Sequence, residues 1–179
     1  MNKNEAYLIG AFGDAYLDFK RNEVQFYQKD KQWLDYINEI LFEMIGQKGR
    51  IFKRDVFLLR KTSKKLFLRI KEILSEPISH GESFVAGLFD SEGSLYLSTK
   101  SKIPVADITQ SEKGKHLLEQ AQRILSEIGI KSFLNGPYKH WNSNMPTYHL
   151  RIYGKQCYLF FSKIPIKHPE KREKFSAYL

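Results

Sequence analysis

Cysteine is almost absent. One thiol, Cys157, occurs in 179 residues, which excludes an internal disulfide and a cysteine-built zinc site. It stands beside Tyr158-Leu159-Phe160-Phe161, a setting that predicts a buried thiol rather than a nucleophile. Long apolar runs are absent too: no stretch reaches the ~18 residues of a membrane-spanning helix. The opening Met-Asn-Lys-Asn-Glu lacks the charged-then-apolar layout of a secretory signal. Together these absences predict a reducing compartment, either the cytoplasm of a prokaryote or archaeon or an organellar matrix or stroma, and not secretion. The sequence also lacks a glycine-rich Walker loop, His-Glu-x-x-His and Gly-x-Ser-x-Gly, and with them the chemistries those motifs mark. The five histidines, at 80, 116, 140, 149 and 168, are scattered, and His116 within a helical pattern reads as a surface or packed residue.

Acids are outnumbered. There are 20 Asp and Glu against 29 Lys and Arg, a net charge of +9. Such a balance points to a polyanionic partner, nucleic acid or an anionic membrane. What is plentiful is core material: 42% hydrophobic and 14% aromatic residues, enough for one domain or two fused halves.

The pattern along the chain is a duplication. Residues 5–15 read as a helix, 16–20 and 23–28 as a hairpin turning at Arg21-Asn22, and Asp30 as the N-cap of a long helix ending at Gly46 or Gly49. Its stripe is Trp33, Leu34, Ile37, Ile40, Leu41, Met44 and Ile45, at helical spacing. Strands at 50–54 and 56–61 follow, then a helix capped by Ser63 with Leu66, Phe67, Ile70, Ile73 and Leu74 inward. The order then recurs: helix 82–92, strands 94–99 and 104–110, helix 112–128, strands 131–135 and 147–153 about a loop with Gly136-Pro137, and helix 155–163. Gln28-Lys29-Asp30-Lys31 matches Gln110-Ser111-Glu112-Lys113, and Leu59-Arg60 matches Leu150-Arg151. Each half is αββαββα: 1–76, a linker at 77–81, and 82–179 with a short tail. A repeat of this kind predicts one pseudo-twofold unit whose halves share an interface.

The strands sort their charge. Thr147, His149, Arg151 and Tyr153 share one side of their strand, opposite Tyr148, Leu150 and Ile152. Ser94, Tyr96, Ser98 and Lys100 oppose Leu95 and Leu97, and Glu23, Gln25 and Tyr27 oppose Val24 and Phe26. Phe57 and Leu59 point inward and Arg60 outward. One face of each sheet thus carries Arg, Lys, Gln, Tyr, Thr and His, and the intervening loops add Arg50, Lys53, Lys102, Lys139 and His140. Lysine and arginine neutralise phosphates, and Arg, Gln and Asn on a strand reach base edges in the major groove. Gln25, Tyr27, Arg50, Lys53, Arg60, Tyr96, Ser98, Lys100, Lys102, Lys139, His149 and Arg151 are the candidate DNA contacts.

The stretch Phe84-Val85-Ala86-Gly87-Leu88-Phe89-Asp90-Ser91-Glu92-Gly93 has small residues four apart, which lets another backbone approach. It ends on a carboxylate, electrostatically awkward at a helix C-terminus and tolerated where a cation is held. Tyr7-Leu8-Ile9-Gly10-Ala11-Phe12-Gly13-Asp14 is its partner in the first half. Two acids meeting where such helices end suit Mg²⁺ and phosphodiester hydrolysis.

Val85-Ala86-Gly87-Leu88-Phe89-Asp90-Ser91-Glu92-Gly93 closely resembles the LAGLIDADG motif of homing endonucleases. The resemblance extends over the weaker first motif, the αββαββα repeat and the tail His168-Pro169-Glu170-Lys171-Arg172. It implies an α+β fold with two saddle-shaped antiparallel sheets astride DNA and the motif helices packed at the centre. Glu92 matches the metal-binding acid, and Asp90 a position that buttresses. Asp14 is the first half's acid, although it follows Gly10 by four residues where Glu92 follows Gly87 by five. The alternatives are Ala15 at the metal in the Gly10 register, or Asp18. Gln28 and Gln110 resemble residues that place metal-bound water, or else serve helix entry or base contact. Lys29, Lys100 and Lys102 are candidates beside the scissile phosphate. The implied activity is a monomeric Mg²⁺-dependent double-strand DNA endonuclease with a long asymmetric site and 3′ overhangs. Mn²⁺ would substitute, and Ca²⁺ would bind without efficient cleavage. The rival readings are an RNA maturase acting on its host intron RNA, and an inactive DNA-binding relative.

Overall fold

The computed structural model describes residues 1–139 and 145–178, with Asp14 as backbone only. His140 lies outside the described residues. Helix α1 (Lys3–Ala11) opens on a capping box: Asn2 Oδ1 accepts from Glu5 N at 2.9 Å, and the Glu5 carboxylate accepts from Asn2 N at 2.8 Å. It passes into a 3-10 turn, Phe12–Asp14, and then strands β1 (Ala15–Asp18) and β2 (Glu23–Gln28). Helix α2 (Lys31–Ile45) begins where Asp30 Oδ1 accepts from Trp33 N at 3.1 Å. It ends at Gly46, whose φ of +74° closes the helix as only glycine does readily. Strands β3 (Arg50–Lys53) and β4 (Phe57–Thr62) and helix α3 (Lys64–Ser75), capped by Ser63, complete the first half.

The second half repeats the order: α4 (Gly81–Glu92), β5 (Gly93–Leu97), β6 (Pro104–Ser111), a 3-10 turn into α5 (Lys115–Glu127), β7 (Phe133–Tyr138), β8 (Thr147–Tyr153) and α6 (Lys155–Lys163). Both sheets are antiparallel and four-stranded, β1-β2-β4-β3 and β5-β6-β8-β7. One face of each packs on helices, where Phe26, Trp33, Ile37, Leu59 and Phe67 in the first half and Phe89, Ile108, Leu125, Leu150 and Phe160 in the second are buried. No helix among the described residues is long and apolar enough to cross a membrane. Cys157 is buried, its thiol within reach of the Ile152 and Pro104 carbonyls.

The structure corrects several local expectations. Helix α1 is shorter than 5–15 because its last turn tightens to 3-10. Lys100 lies in the turn after β5 rather than on the strand, and Leu97, expected inward, is 41% exposed because the strand ends there. Leu74 is 48% exposed, since only the last turn of α3 carries it past the core. Gly136-Pro137 is part of β7, where it breaks the pairing register between Asn135 and Tyr138. A seventh helix, α7 (Pro169–Ser176), stands where only a tail was expected.

Candidate active site and nucleic-acid face

The two motif helices touch through glycine. A Cβ on Gly10 would lie 2.1 Å from the Phe84 carbonyl oxygen, and one on Gly87 would lie 2.0 Å from that of Tyr7. Gly10 is therefore the close-packing residue of α1. The missing residue in the first motif is absorbed by the 3-10 turn. From Gly10 to Asp14 one α step and three 3-10 steps advance the backbone about 7.5 Å, the same as five α steps from Gly87 to Glu92. Asp18 instead caps the hairpin, its Oδ1 accepting from Lys20 N at 3.0 Å and Arg21 N at 3.1 Å.

The ends of the motifs converge. A Cβ on Gly13 would sit 2.6 Å from Glu92 Oε1 and 2.7 Å from its Cγ, so the Glu92 side chain lies directly against the backbone preceding Asp14. Glu92 is half-buried. Burial raises its carboxyl above the ordinary value, and the Gln110 amide and the Lys171 charge pull it back in part. Gln110 Nε2 is buried and meets no acceptor at full hydrogen-bonding geometry, although the amide leans on Glu92. Its Oε1 rests 2.2 Å from where a Gly114 Cβ would stand. Gln28 lines a 240 Å³ cavity with Ser91, Ser94, His168, Lys171 and Lys174.

Asp90 faces away from this chemistry. It is fully buried, and its Oδ2 accepts from Tyr7 OH at 2.6 Å and from Lys167 N at 2.7 Å. Tyr7 OH in turn accepts from Trp33 Nε1 at 2.8 Å. Burial pushes the Asp90 carboxyl up to about 6 against these hydrogen bonds. The residue ties α4 to α1, α2 and the chain's end.

The outward sheet faces are organised by two acids. Glu23 Oε2 accepts from Arg60 Nε at 2.6 Å and from Thr62 Oγ1 at 3.0 Å. Gln25 donates to Glu23, and Tyr27 OH donates to Gln25. Burial alone would raise the Glu23 carboxyl, but the bonds from Gln25, Arg60 and Thr62 outweigh it and hold it below its ordinary range. In the second sheet Asp107 accepts from Arg151 Nε at 3.0 Å and from Tyr96 OH at 3.2 Å, with His149 Nδ1 at 3.0 Å. The candidate contacts on the strands are thus joined side chain to side chain. Arg50 lies at the start of β3 and lines a 330 Å³ groove with Lys48, Phe52, Arg60 and Lys61. Lys53 is exposed at the end of β3. Ser98 Oγ accepts from Ile103 N at 3.2 Å and braces the turn that carries Lys100 and Lys102, while Lys139 is exposed just beyond β7.

Residues 82–165 match the LAGLIDADG-like domain family. The homing endonuclease I-DmoI in complex with DNA and Mn superposes with a TM-score of 0.68 at 23% identity over 93% of this chain and 98% of that one. Its complex with DNA and Ca gives 0.68 at 24% over 97% of each. Residues 82–165 thus form a LAGLIDADG-like domain, and the whole chain has the fold of this homing endonuclease. Homing endonuclease I-WcaI, bound to its DNA recognition sequence, has the same fold at 19% identity, with a TM-score of 0.64 over 96% of this chain and 85% of that one. The ATP-dependent DNA helicase Hel308 of Methanocaldococcus jannaschii is 31% identical over 133 residues, and the chain spans only 10% of its length.

The site fits a hard divalent cation. Glu92 offers carboxylate oxygen, and Gly13 supplies a cradle that any side chain would fill. The Asp14 side chain lies outside the described residues. Sequence reasoning gave no site role to three contributors: Lys171, and the acids Glu23 and Asp107 beneath the arginines. Asp107 was detectable as the one charge in the otherwise apolar run Pro104 to Ile108. Lys171 stood in the tail that carries the resemblance, but the segment 169–174 has no apolar periodicity to place its side chain.

Proposed function

We propose that the chain is a sequence-specific, monomeric double-strand DNA endonuclease that hydrolyses one phosphodiester per strand and leaves 3′ overhangs. The observation that carries this reading is the contact of the Glu92 carboxylate with the end of the first motif at Gly13. It brings the acid of one half to the acid-bearing turn of the other, at the base of two polar sheet faces. The DNA complexes of I-DmoI and I-WcaI support the same reading.

Asp14 and Glu92 would hold Mg²⁺. When bound, such an ion lowers the pKa of water and stabilises the leaving 3′ oxygen. The chain's own residues do the rest. Glu92 must be ionised to act, and the Lys171 charge favours that state. Gln110 and Gln28, at the ends of β6 and β2, would orient water through their amides. The sheet faces hold the duplex through Gln25, Tyr27, Arg60, Tyr96, His149 and Arg151, and Arg50, Lys53, Lys100, Lys102 and Lys139 meet phosphates beyond them.

A plasmid carrying the target, found by selection from an insertion-site library, is expected to be linearised in Mg²⁺ or Mn²⁺ and bound without cutting in Ca²⁺. Glu92→Gln is expected to bind the target and leave it intact. Cutting of both strands by that variant at the wild-type rate would overturn the assignment. Binding of intron RNA without DNA cleavage would support the maturase reading instead.

A further inference from the structure

The segment after α6 is a strap across both halves. Ile164 and Ile166 are buried, and the Lys167 N–H donates to Asp90 Oδ2 at 2.7 Å. His168 is 3% exposed, with its ring 6.0 Å from that of Trp33 in the first half and its Nδ1 3.9 Å from Asp30 Oδ2. Helix α7 is then pinned by Phe175, stacked on Phe161 with ring centroids 4.0 Å apart. This path delivers Lys171 to one place. Its Nζ donates to the Phe89 carbonyl at 2.6 Å and to the Asp90 carbonyl at 2.7 Å.

Those carbonyls belong to the last turn of α4. The final carbonyls of a helix run out of intrahelical donors; here that of Phe89 accepts from the Gly93 N–H at the cap as well as from Lys171, and the negative dipole end favours a cation. No basic residue of α4 itself stands in that turn. The ammonium therefore comes from about 80 residues away, two positions short of Glu92. The same turn must carry a carboxylate whose position has to be held within a fraction of an ångström for chemistry. We propose that Lys171 is a positioning residue of the active site, holding the carboxyl end of α4, and with it Glu92, from the C-terminal strap.

The proposal rests on the endonuclease reading for its activity arm only. With saturating target DNA and Mg²⁺, Lys171→Met is expected to cut at least about tenfold more slowly than wild type, an order suited to a sub-ångström loss of placement. Target binding in Ca²⁺ should stay within about twofold, which separates positioning from a lost phosphate contact. Lys171→Arg, which keeps the charge and the donors, is expected to recover most of the rate. In amide hydrogen exchange, Lys171→Met should speed exchange across residues 89–95 and leave the α2 and α5 amides unchanged, with Lys171→Arg close to wild type. A wild-type cutting rate in Lys171→Met would overturn the proposal, as would unchanged exchange across 89–95. If the wild-type chain binds but never cuts DNA, the endonuclease reading fails, and the exchange comparison alone decides whether Lys171 holds the end of α4.

Discussion

At Gly10 and Gly87 a single methyl group has nowhere to go. Each missing Cβ would fall about 2 Å from a backbone oxygen of the opposite helix, and backbone cannot rotate aside as a side chain can. Gly10→Ala or Gly87→Ala must push α1 and α4 apart, opening the contact on which both acidic ends depend. A loss of roughly 3 kcal/mol or more is expected in denaturant unfolding, at the upper end of overpacking effects. A loss below about 1 kcal/mol in both variants would show that the helices are not in this contact. A second residue sets how the fold responds to acid. Glu5 is buried, and the hydrogen bond from Arg69, with Nε at 2.7 Å, holds its carboxyl below the ordinary 4.5 despite burial. A lowered folded pKa means that the unfolded chain takes up the proton first. The stabilisation is complete above about pH 4.5 and is lost as pH falls through the folded value. Melting temperature should therefore drop more steeply between pH 5 and pH 3 in the wild-type chain than in Glu5→Gln. Parallel profiles would remove Glu5 from the acid response.

At the scale of elements, the informative piece is the three-residue 3-10 turn after α1. It lets a motif one residue short reach the same depth as α4, and it places Gly13 against Glu92. Gly13→Ala puts a methyl 2.6 Å from Glu92 Oε1, and the carboxylate, being a side chain, is what moves. Cleavage should fall by about 100-fold while target binding in Ca²⁺ persists; equal loss of both would mean that the turn, not Glu92, had been displaced. The sequence made much of this legible. The αββαββα order, the caps at Asp30 and Ser63, and the second motif with Glu92 at its end all follow from local patterns that tertiary packing had no reason to override. The 3-10 turn was hidden because glycine spacing reports a register only for uniform helix. Helix α7 was hidden because Pro169 to Lys174 is polar throughout and is fixed by Phe175 on Phe161 and by Lys171 on the end of α4, contacts that no local pattern reports. The end of β5 at Leu97 was hidden because alternation in a sequence does not say where pairing stops.

Across the whole molecule, a net charge of +9 is not spread as free cations. On each sheet face the central arginine is bound by a buried acid, Arg60 by Glu23 and Arg151 by Asp107. Such pairs contribute little net charge to a distant phosphate, but they fix the guanidinium's direction, which reading a base edge demands. Lysines at the strand ends and turns, Lys53 among them, are exposed and supply the long-range field. The two groups should therefore separate in titrations against salt. Lys53→Ala is expected to weaken target and random DNA alike and to reduce the slope of log K against log salt by about 1. Arg151→Ala is expected to cost about 1–3 kcal/mol on the target and far less on random DNA, collapsing discrimination at the bases beneath β8. Asp107→Asn, which frees the same arginine while keeping it, should tighten random binding and steepen the salt slope, again lowering discrimination. If Lys53→Ala and Arg151→Ala instead lower target and random affinity by the same factors, then the acids beneath the arginines serve folding alone and specificity lies elsewhere on the sheets.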